Sequence, residues 1–240
     1  MEIRCLKELA SGSYRYGQMA ATVHQLATVL GKAVDAKDKR LFDHSALTAD
    51  LASVLALAHG LSSKQTGVVH IAGHLHDIGK IGIPDAILFK RGRLDASEWE
   101  AVRRHPAIGA EILAPIELFA KRNGVAELVL CHHESFDGSG YPRGLSGADI
   151  PLGGRILAVA DSMAAMLEHR VYRPALTLDE ALAEIERHRG TRYDPELCRS
   201  LFGHAGAVAE AVARHSGTAP REAEPTREEQ AAPTPAAVAV

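Results

Sequence analysis

The sequence predicts an all-α protein. Two observations carry this. Apolar residues recur three and four positions apart in segment after segment, and no alternating run is long enough to make a strand. A third supports them, since Gly- and Pro-rich breaks fall between the periodic segments, where helices would stop. No internal repeat is present. With 240 residues, 46% of them hydrophobic, the chain can build one good core and a small appendage.

In chain order, residues 1–17 read as a mixed lead that ends near Ser11-Gly12-Ser13. Val23, Leu26, Ala27, Leu30 and Val34 share helical spacing, so a helix is expected over residues 19–37. A charged break, residues 35–40, follows. Leu47, Leu51, Val54, Leu55 and Ala58 form the next stripe, with His44 one turn ahead of it and Gly60 as its stop. Val68, Ile71, Ala72 and Leu75 line a helix expected over residues 64–78. Residues 83–94, holding Pro84 and Gly92, read as an irregular link. Asp95, with Glu98 three residues on, reads as a helix start close to a capping box. Further helices are expected over residues 108–113, 125–133 and 155–167, from Thr177 or Asp179 to Gly190, and over 195–202. A weak one is expected through Val212. Residues 134–154 hold so many Gly, Ser, Asp and Pro residues that they must form a loop, and one of that length is expected to be functional. From Gly217 onward Pro, Ala and Glu dominate, as in a disordered tail.

Charge and cysteine content narrow the function. A net charge of −3 gives no footprint for a nucleic-acid polymer, though a local Arg cluster could still hold a small phosphorylated ligand. Cys5, Cys131 and Cys198 are odd in number and far apart, which fits a reduced cytoplasmic protein rather than a disulfide framework. No signal peptide or membrane span is expected.

The chain's chemistry centres on His74-Leu75-His76-Asp77-Ile78-Gly79-Lys80. A His-Asp pair sets a neutral nitrogen ligand beside an anionic oxygen ligand, and the carboxylate can bridge two ions. Apolar neighbours imply that the pair is partly buried. His44, His105, the pair His132-His133 and Asp161 complete the candidate metal ligands, drawn from different predicted helices as in dimetal helix-bundle sites. Asp161 stands in the nearly all-apolar run 157–167, where a carboxylate needs a counter-charge. Adjacent His132 and His133 diverge by about 100° around a helix, which suits a site a few ångströms wide. His74 is expected only to cap or pack, and Cys131 to be a buried structural thiol. His24, His59, His70, His169, His188, His204 and His215 show no partner pattern.

The ordered runs His76-Asp77-Ile78-Gly79-Lys80-Ile81-Gly82-Ile83-Pro84-Asp85, His105-Pro106-Ala107-Ile108-Gly109, His132-His133-Glu134, Asp137-Gly138-Ser139-Gly140-Tyr141-Pro142 and Arg155-Ile156-Leu157-Ala158-Val159-Ala160-Asp161 resemble those of HD-GYP domains, a branch of the HD phosphohydrolases. Arg170-Val171-Tyr172-Arg173, then Gly190 with Tyr193-Asp194-Pro195, extend the resemblance. It implies an HD-type helix bundle with a long Gly-Tyr-Pro loop over residues 18–205, between the lead and a C-terminal piece at 206–240. It also implies hydrolysis of cyclic di-GMP, a bacterial second messenger, to pGpG or GMP, with two divalent ions, iron or manganese favoured. Under it, His44, His76, Asp77, His105, His132, His133 and Asp161 are the metal ligands, with Asp77 bridging and catalytic. Lys80 contacts the scissile phosphate, while Tyr141, Arg170 and Arg173 contact the ligand.

Departures qualify the expectation. Arg40 stands where some members place a Glu for a third ion, so two are expected. Ser135 replaces a common Arg, and Ala164 and Leu167 replace an Asp and a Thr, which touches substrate contacts and rate rather than ligands. The alternatives are hydrolysis of another cyclic dinucleotide, such as a mixed GMP-AMP one, or a module that senses dinucleotide. A signalling partner could dock through the Tyr141 loop. Residues 1–17 are too short for a sensory domain, so regulatory input is expected from elsewhere.

Overall fold

Capping chemistry fixes several helix starts. Ser62 accepts from the Gln65 amide while the Gln65 side chain accepts from the Ser62 amide. The same reciprocal box forms at Asp95 with Glu98 and at Thr177 with Glu180. Each cap satisfies amides that the first turn leaves unpaired, worth about 1 kcal/mol apiece. Thr177, not Asp179, is thus the cap of its helix.

The computed structural model describes residues 2–37, 43–90, 92–168 and 175–215, with the first eighteen of these, 2–19, described as backbone only. In chain order the helices are α1 (Glu2–Lys37), α2 (His44–Ala58), α3 (Ser63–Leu75), α4 (Asp85–Leu88), α5 (Ala96–Arg103), α6 (His105–Leu113), α7 (Val125–Cys131), α8 (Leu152–Leu167), α9 (Leu178–Arg187), α10 (Pro195–Gly203) and α11 (Ala205–His215). A 3-10 turn, Ile78–Gly82, follows α3, and another, Gly147–Asp149, precedes α8. Among the described residues there is no strand, only an isolated bridge between Arg189 and Tyr193. No described helix is long and apolar enough to cross a membrane.

The core lies where α2, α3, α7 and α8 meet. Leu51, Leu55, Val69, Leu75, Leu128, Ile156, Leu157 and Met163 are all buried there. A Cβ on Gly73 would stand 2.6 Å from the Ala49 Cα, so α2 and α3 pack at a separation only glycine permits. That contact sets His44 and His76, at the start of one helix and the end of the other, close together. Four further helices cover this centre: α1 lies on α2 and α3, α9 on α8, and α10 and α11 on α2.

Several boundaries differ from the sequence reading. Helix α1 runs unbroken from Glu2 through Ser11-Gly12-Ser13, where a lead was expected. Helix α3 stops at Leu75, three residues short, so the His-Asp pair lies on its cap and the following turn. The link 83–94 contains the short α4, and the weak C-terminal helix is a full one, α11, with Val208 and Ala211 buried. Residues 216–240, Arg40, His169, Arg170 and Arg173 lie outside the described residues.

Candidate metal centre

Helix ends build this site. His44 opens α2, His76 caps α3, His105 opens α6, His132 caps α7, and Asp161 sits inside α8. His44, His76, His105 and His132 are at most 2% exposed. Their ligating atoms form two clusters, each within 4.8 Å: His44, His76 and Asp161 in one, His105, His132 and His133 in the other. Asp77 spans both, with Oδ2 3.2 Å from His76 Nε2 and Oδ1 3.3 Å from His105 Nε2. All seven sequence-predicted ligands therefore converge. Asp161 holds to His44 Nε2 at 3.1 Å and lies 3.6 Å from His76 Nε2, its side chain 14% exposed, rather than facing a solvated stripe.

The turn after α3 is as tight as it is because of Gly79. A Cβ there would meet the His105 carbonyl oxygen at 1.9 Å and the Gly109 nitrogen at 2.6 Å. The role of Gly79 is to let the Asp77 turn touch the start of α6.

The protons of the rings can be assigned from their partners. Nδ1 of His76, His105 and His132 lies 2.7, 2.8 and 2.6 Å from the carbonyls of Gly73, Val102 and Val129. A carbonyl only accepts, so each Nδ1 carries the hydrogen and each Nε2 is left with its lone pair turned inward. Nε2 of His105 and Nε2 of His132 are 3.3 Å apart, two lone pairs facing one another. His76 Nε2 is buried with no hydrogen bond, facing two carboxylates. Only a cation or a proton relieves such an arrangement. Nitrogen and oxygen donors with backbone-anchored rings fit divalent transition ions.

The electrostatics divide the clusters. Burial opposes charge on His44, yet its hydrogen bonds to Asp161 and Glu168 outweigh it and lift its pKa to about 9. Burial likewise opposes charge on His76, but Asp77 and Asp161 hold it well above the ordinary histidine value. Burial, then the neighbouring histidines, push His132 down to about 3 and His133 well down. His105 is lowered by burial. Burial works against ionised Asp77, but Lys80 and His76 keep it well below the usual carboxylate range. One cluster draws positive charge; the other offers neutral imidazoles.

Lys80 Nζ stands 2.6 Å from Asp77 Oδ2. Both border an open cleft of about 760 Å³, whose wall also includes Trp99, His133, Tyr141, Arg192 and Tyr193. Tyr141 stacks on His133 with centroids 4.8 Å apart, and the Arg103 guanidinium lies 4.8 Å from the Tyr141 ring centroid as a cation–π partner. The loop is tied by Glu134, which is 2% exposed and accepts from the amides of Arg143 (2.7 Å) and Leu145 (3.0 Å). Sequence reasoning gave Glu134 no role, and missed Glu168, which accepts from His44 Nδ1 at 3.1 Å. Glu134 follows the His pair directly and could have been singled out; Glu168 carries no local signal. Ala164 is wholly buried, whereas Ala165 and Met166 line the cleft, so the departure at Ala164 lies in the core. Cys131 is buried, its thiol pushed up to about 11 by burial.

Comparison with known proteins places this arrangement. An HD domain model matches residues 28–197. The chain belongs to the HD domain family. Its Asp137–Pro142 run, with the preceding His132-His133-Glu134, puts this HD domain in the HD-GYP branch. It is 40% identical over 173 residues to the cyclic di-GMP phosphodiesterase response regulator RpfG of Xanthomonas campestris, covering 72% of this chain and 46% of that protein. It is 39% identical over 178 residues to a cyclic di-GMP phosphodiesterase of Thermotoga maritima, covering 74% and 48%. A 3'3'-cGAMP-specific phosphodiesterase 3 of Vibrio cholerae is 39% identical over 176 residues, covering 73% of this chain and 38% of that one. The HD domain chain thus spans about half the length, or less, of these curated relatives. Among solved structures, the Bdellovibrio bacteriovorus HD-GYP-type protein Bd1817 shares the fold at a TM-score of 0.54 and 20% identity, over 68% of this chain and 51% of that one. A cyclic GMP-AMP specific phosphodiesterase of V. cholerae does so at 0.59 and 16%, over 82% and 54%.

Proposed function

We propose that this HD domain is a metal-dependent phosphodiesterase that hydrolyses cyclic di-GMP to pGpG or GMP. The observation that carries the reading is the convergence of five histidines and two carboxylates, one carboxylate spanning both clusters, at a cleft with an ammonium beside it. The names of the relatives at about 40% identity support the substrate class.

His44, His76 and Asp161 would hold one divalent ion and His105, His132 and His133 a second, with Asp77 shared between them; iron or manganese suits these donors. When bound, such ions supply Lewis-acid charge at phosphoryl oxygens and acidify water at neutral pH. The chain's own groups do the rest. Gly73, Val102 and Val129 carbonyls and Glu168 hold the rings with Nε2 inward. Lys80, its ammonium already drawn to Asp77, adds positive charge where the phosphate would develop negative charge. Trp99, Tyr141 and Tyr193 offer faces for the bases, and Arg192 charge for the far phosphate. The cleft's volume falls within the range of small-molecule sites. Arg170 and Arg173 remain proposed ligand contacts on sequence grounds, and the Tyr141 loop a proposed surface for a signalling partner.

The mixed GMP-AMP cyclic dinucleotide is the second reading, favoured by relatives named for it at 37% and 39% identity. Metal-reconstituted protein incubated with each cyclic dinucleotide, products resolved by chromatography, tests both. Linear product from cyclic di-GMP at the higher kcat/KM supports the first reading. Preference for the mixed dinucleotide replaces it with the second, and no product from either removes catalysis.

A further inference from the structure

Away from that centre, on the face of α3 turned toward α1, three further histidines meet. His24 comes from α1 and His70 and His74 from α3, and each offers a nitrogen within 4.8 Å of the other two. The sequence showed no partner pattern for His24 or His70 and assigned His74 only to cap or pack, because residues 24 and 70 are too far apart to be read together.

The hydrogen bonding around them leaves one buried nitrogen over. His70 Nδ1 lies 2.8 Å from Ser53 Oγ and 3.2 Å from the Ala49 carbonyl. The Ser53 hydroxyl spends its own proton on that carbonyl at 2.8 Å, so both neighbours accept and the His70 hydrogen sits on Nδ1. Its Nε2 then accepts from His24 Nε2 at 3.0 Å, a hydrogen bond that a shared cation would replace. His74 is 5% exposed, and its Nδ1 has no partner. Its Nε2 has only the Thr28 hydroxyl at 3.5 Å, and that hydroxyl already donates to the His24 carbonyl at 2.9 Å. The rings pack at centroid distances of 5.0, 5.5 and 4.8 Å. A buried imidazole with an unused nitrogen is costly unless something binds it.

We propose that His24, His70 and His74 form a second metal site, for one imidazole-preferring transition ion such as Zn²⁺, that ties α1 to α3. Tetrahedral zinc bound at about 2.0–2.1 Å sets its nitrogens roughly 3.4 Å apart, a spacing these rings reach with small rotations. His24 is exposed, so water can fill the fourth position. The site shares no residue with the Asp77 centre and does not depend on the phosphodiesterase reading.

The test compares the full chain with His24→Ala, a change at an exposed position outside the main centre. Both are purified with their resident ions, given Zn²⁺, passed through gel filtration and analysed for total metal. Wild type should hold one ion per chain more than His24→Ala, and Zn²⁺ should raise its Tm further. Affinity for that extra ion should fall at least about tenfold in the variant. His24→Cys, which supplies a thiolate ligand, should restore both responses. Equal metal content and equal Tm responses in wild type and His24→Ala would overturn the site. So would loss of both responses that His24→Cys fails to restore. Because the readout is a difference between two chains with the same main centre, it holds whatever that centre contains or hydrolyses.

Discussion

Asp77 sets one carboxylate oxygen toward each histidine cluster, and its removal should therefore disturb both. Metal analysis of protein purified without chelator should find close to two ions per chain at this centre, and Asp77→Ala should lose more than one. A Zn²⁺-dependent ion that disappears with His24→Ala is counted separately. One centre ion in the parent, or three, contradicts the shared-carboxylate arrangement. Lys80 makes a different prediction. Its Nζ lies 2.6 Å from Asp77 Oδ2, at the cleft, so its charge acts on the reacting phosphate more than on ring geometry. Lys80→Ala should lower kcat roughly 10²-fold with metal content intact. Normal turnover with both ions retained would make Lys80 an ordinary lysine. Glu168 orients His44 through Nδ1, and Glu168→Gln should weaken metal binding about 10-fold or more, read by competition with a chelator. Glu168 shows where sequence reading stops. The histidines and Asp161 stand out because a polar ligand in an apolar helix needs a reason, whereas a Glu at a helix end is ordinary until its partner 124 residues away is known.

Helices were legible wherever one face is apolar and an end is chemically marked. The Asp95–Glu98 box and the α8 run were both read from sequence, because the cap and the stripe are local signals. The end of α3 was not, since its boundary is imposed by contact with α6 rather than by the residues of α3 itself. Gly79 is the point of that contact: a methyl group there has nowhere to go but into the His105 backbone. Gly79→Ala should therefore destabilise the fold by about 3 kcal/mol or more, a fall in Tm of at least roughly 6 °C at this size. It should also lower the affinity for metal, by moving the turn that carries Asp77 away from His105. Circular dichroism melts and metal titration check the two effects together. A stable Gly79→Ala chain with full metal affinity would mean that the turn is free to shift.

At the scale of the whole molecule, the core and the candidate centre are the same object. Helices α2, α3, α7 and α8 bury Leu55, Leu75, Leu128 and Leu157 against one another, and the ligands lie on those helices, directly after their ends, or at the start of α6, which packs on α7. Folding should thus assemble the rings before any ion binds, and the ion should add stability by mass action rather than create the fold. The C-terminal end was legible only in part. A weak helix was expected near Val212, yet α11 covers α2 with Val208 and Ala211 buried, and His215 Nε2 lies 3.0 Å from Asp50 Oδ2. Its sequence is mostly Ala and Val without a marked cap, so its stability comes from docking, which a single segment cannot reveal. Beyond it, composition alone argues that residues after about 217 add nothing to core or chemistry. Two truncations separate these segments. Cutting after Gly217 keeps the α11 contacts and should leave Tm and hydrolysis essentially unchanged. Cutting before Ala205 strips the cover from α2, exposes its packed face and removes the partner of Asp50, so Tm should fall by several degrees. A large loss from the first cut would show that the tail docks; no loss from the second would show that α11 is dispensable to the core.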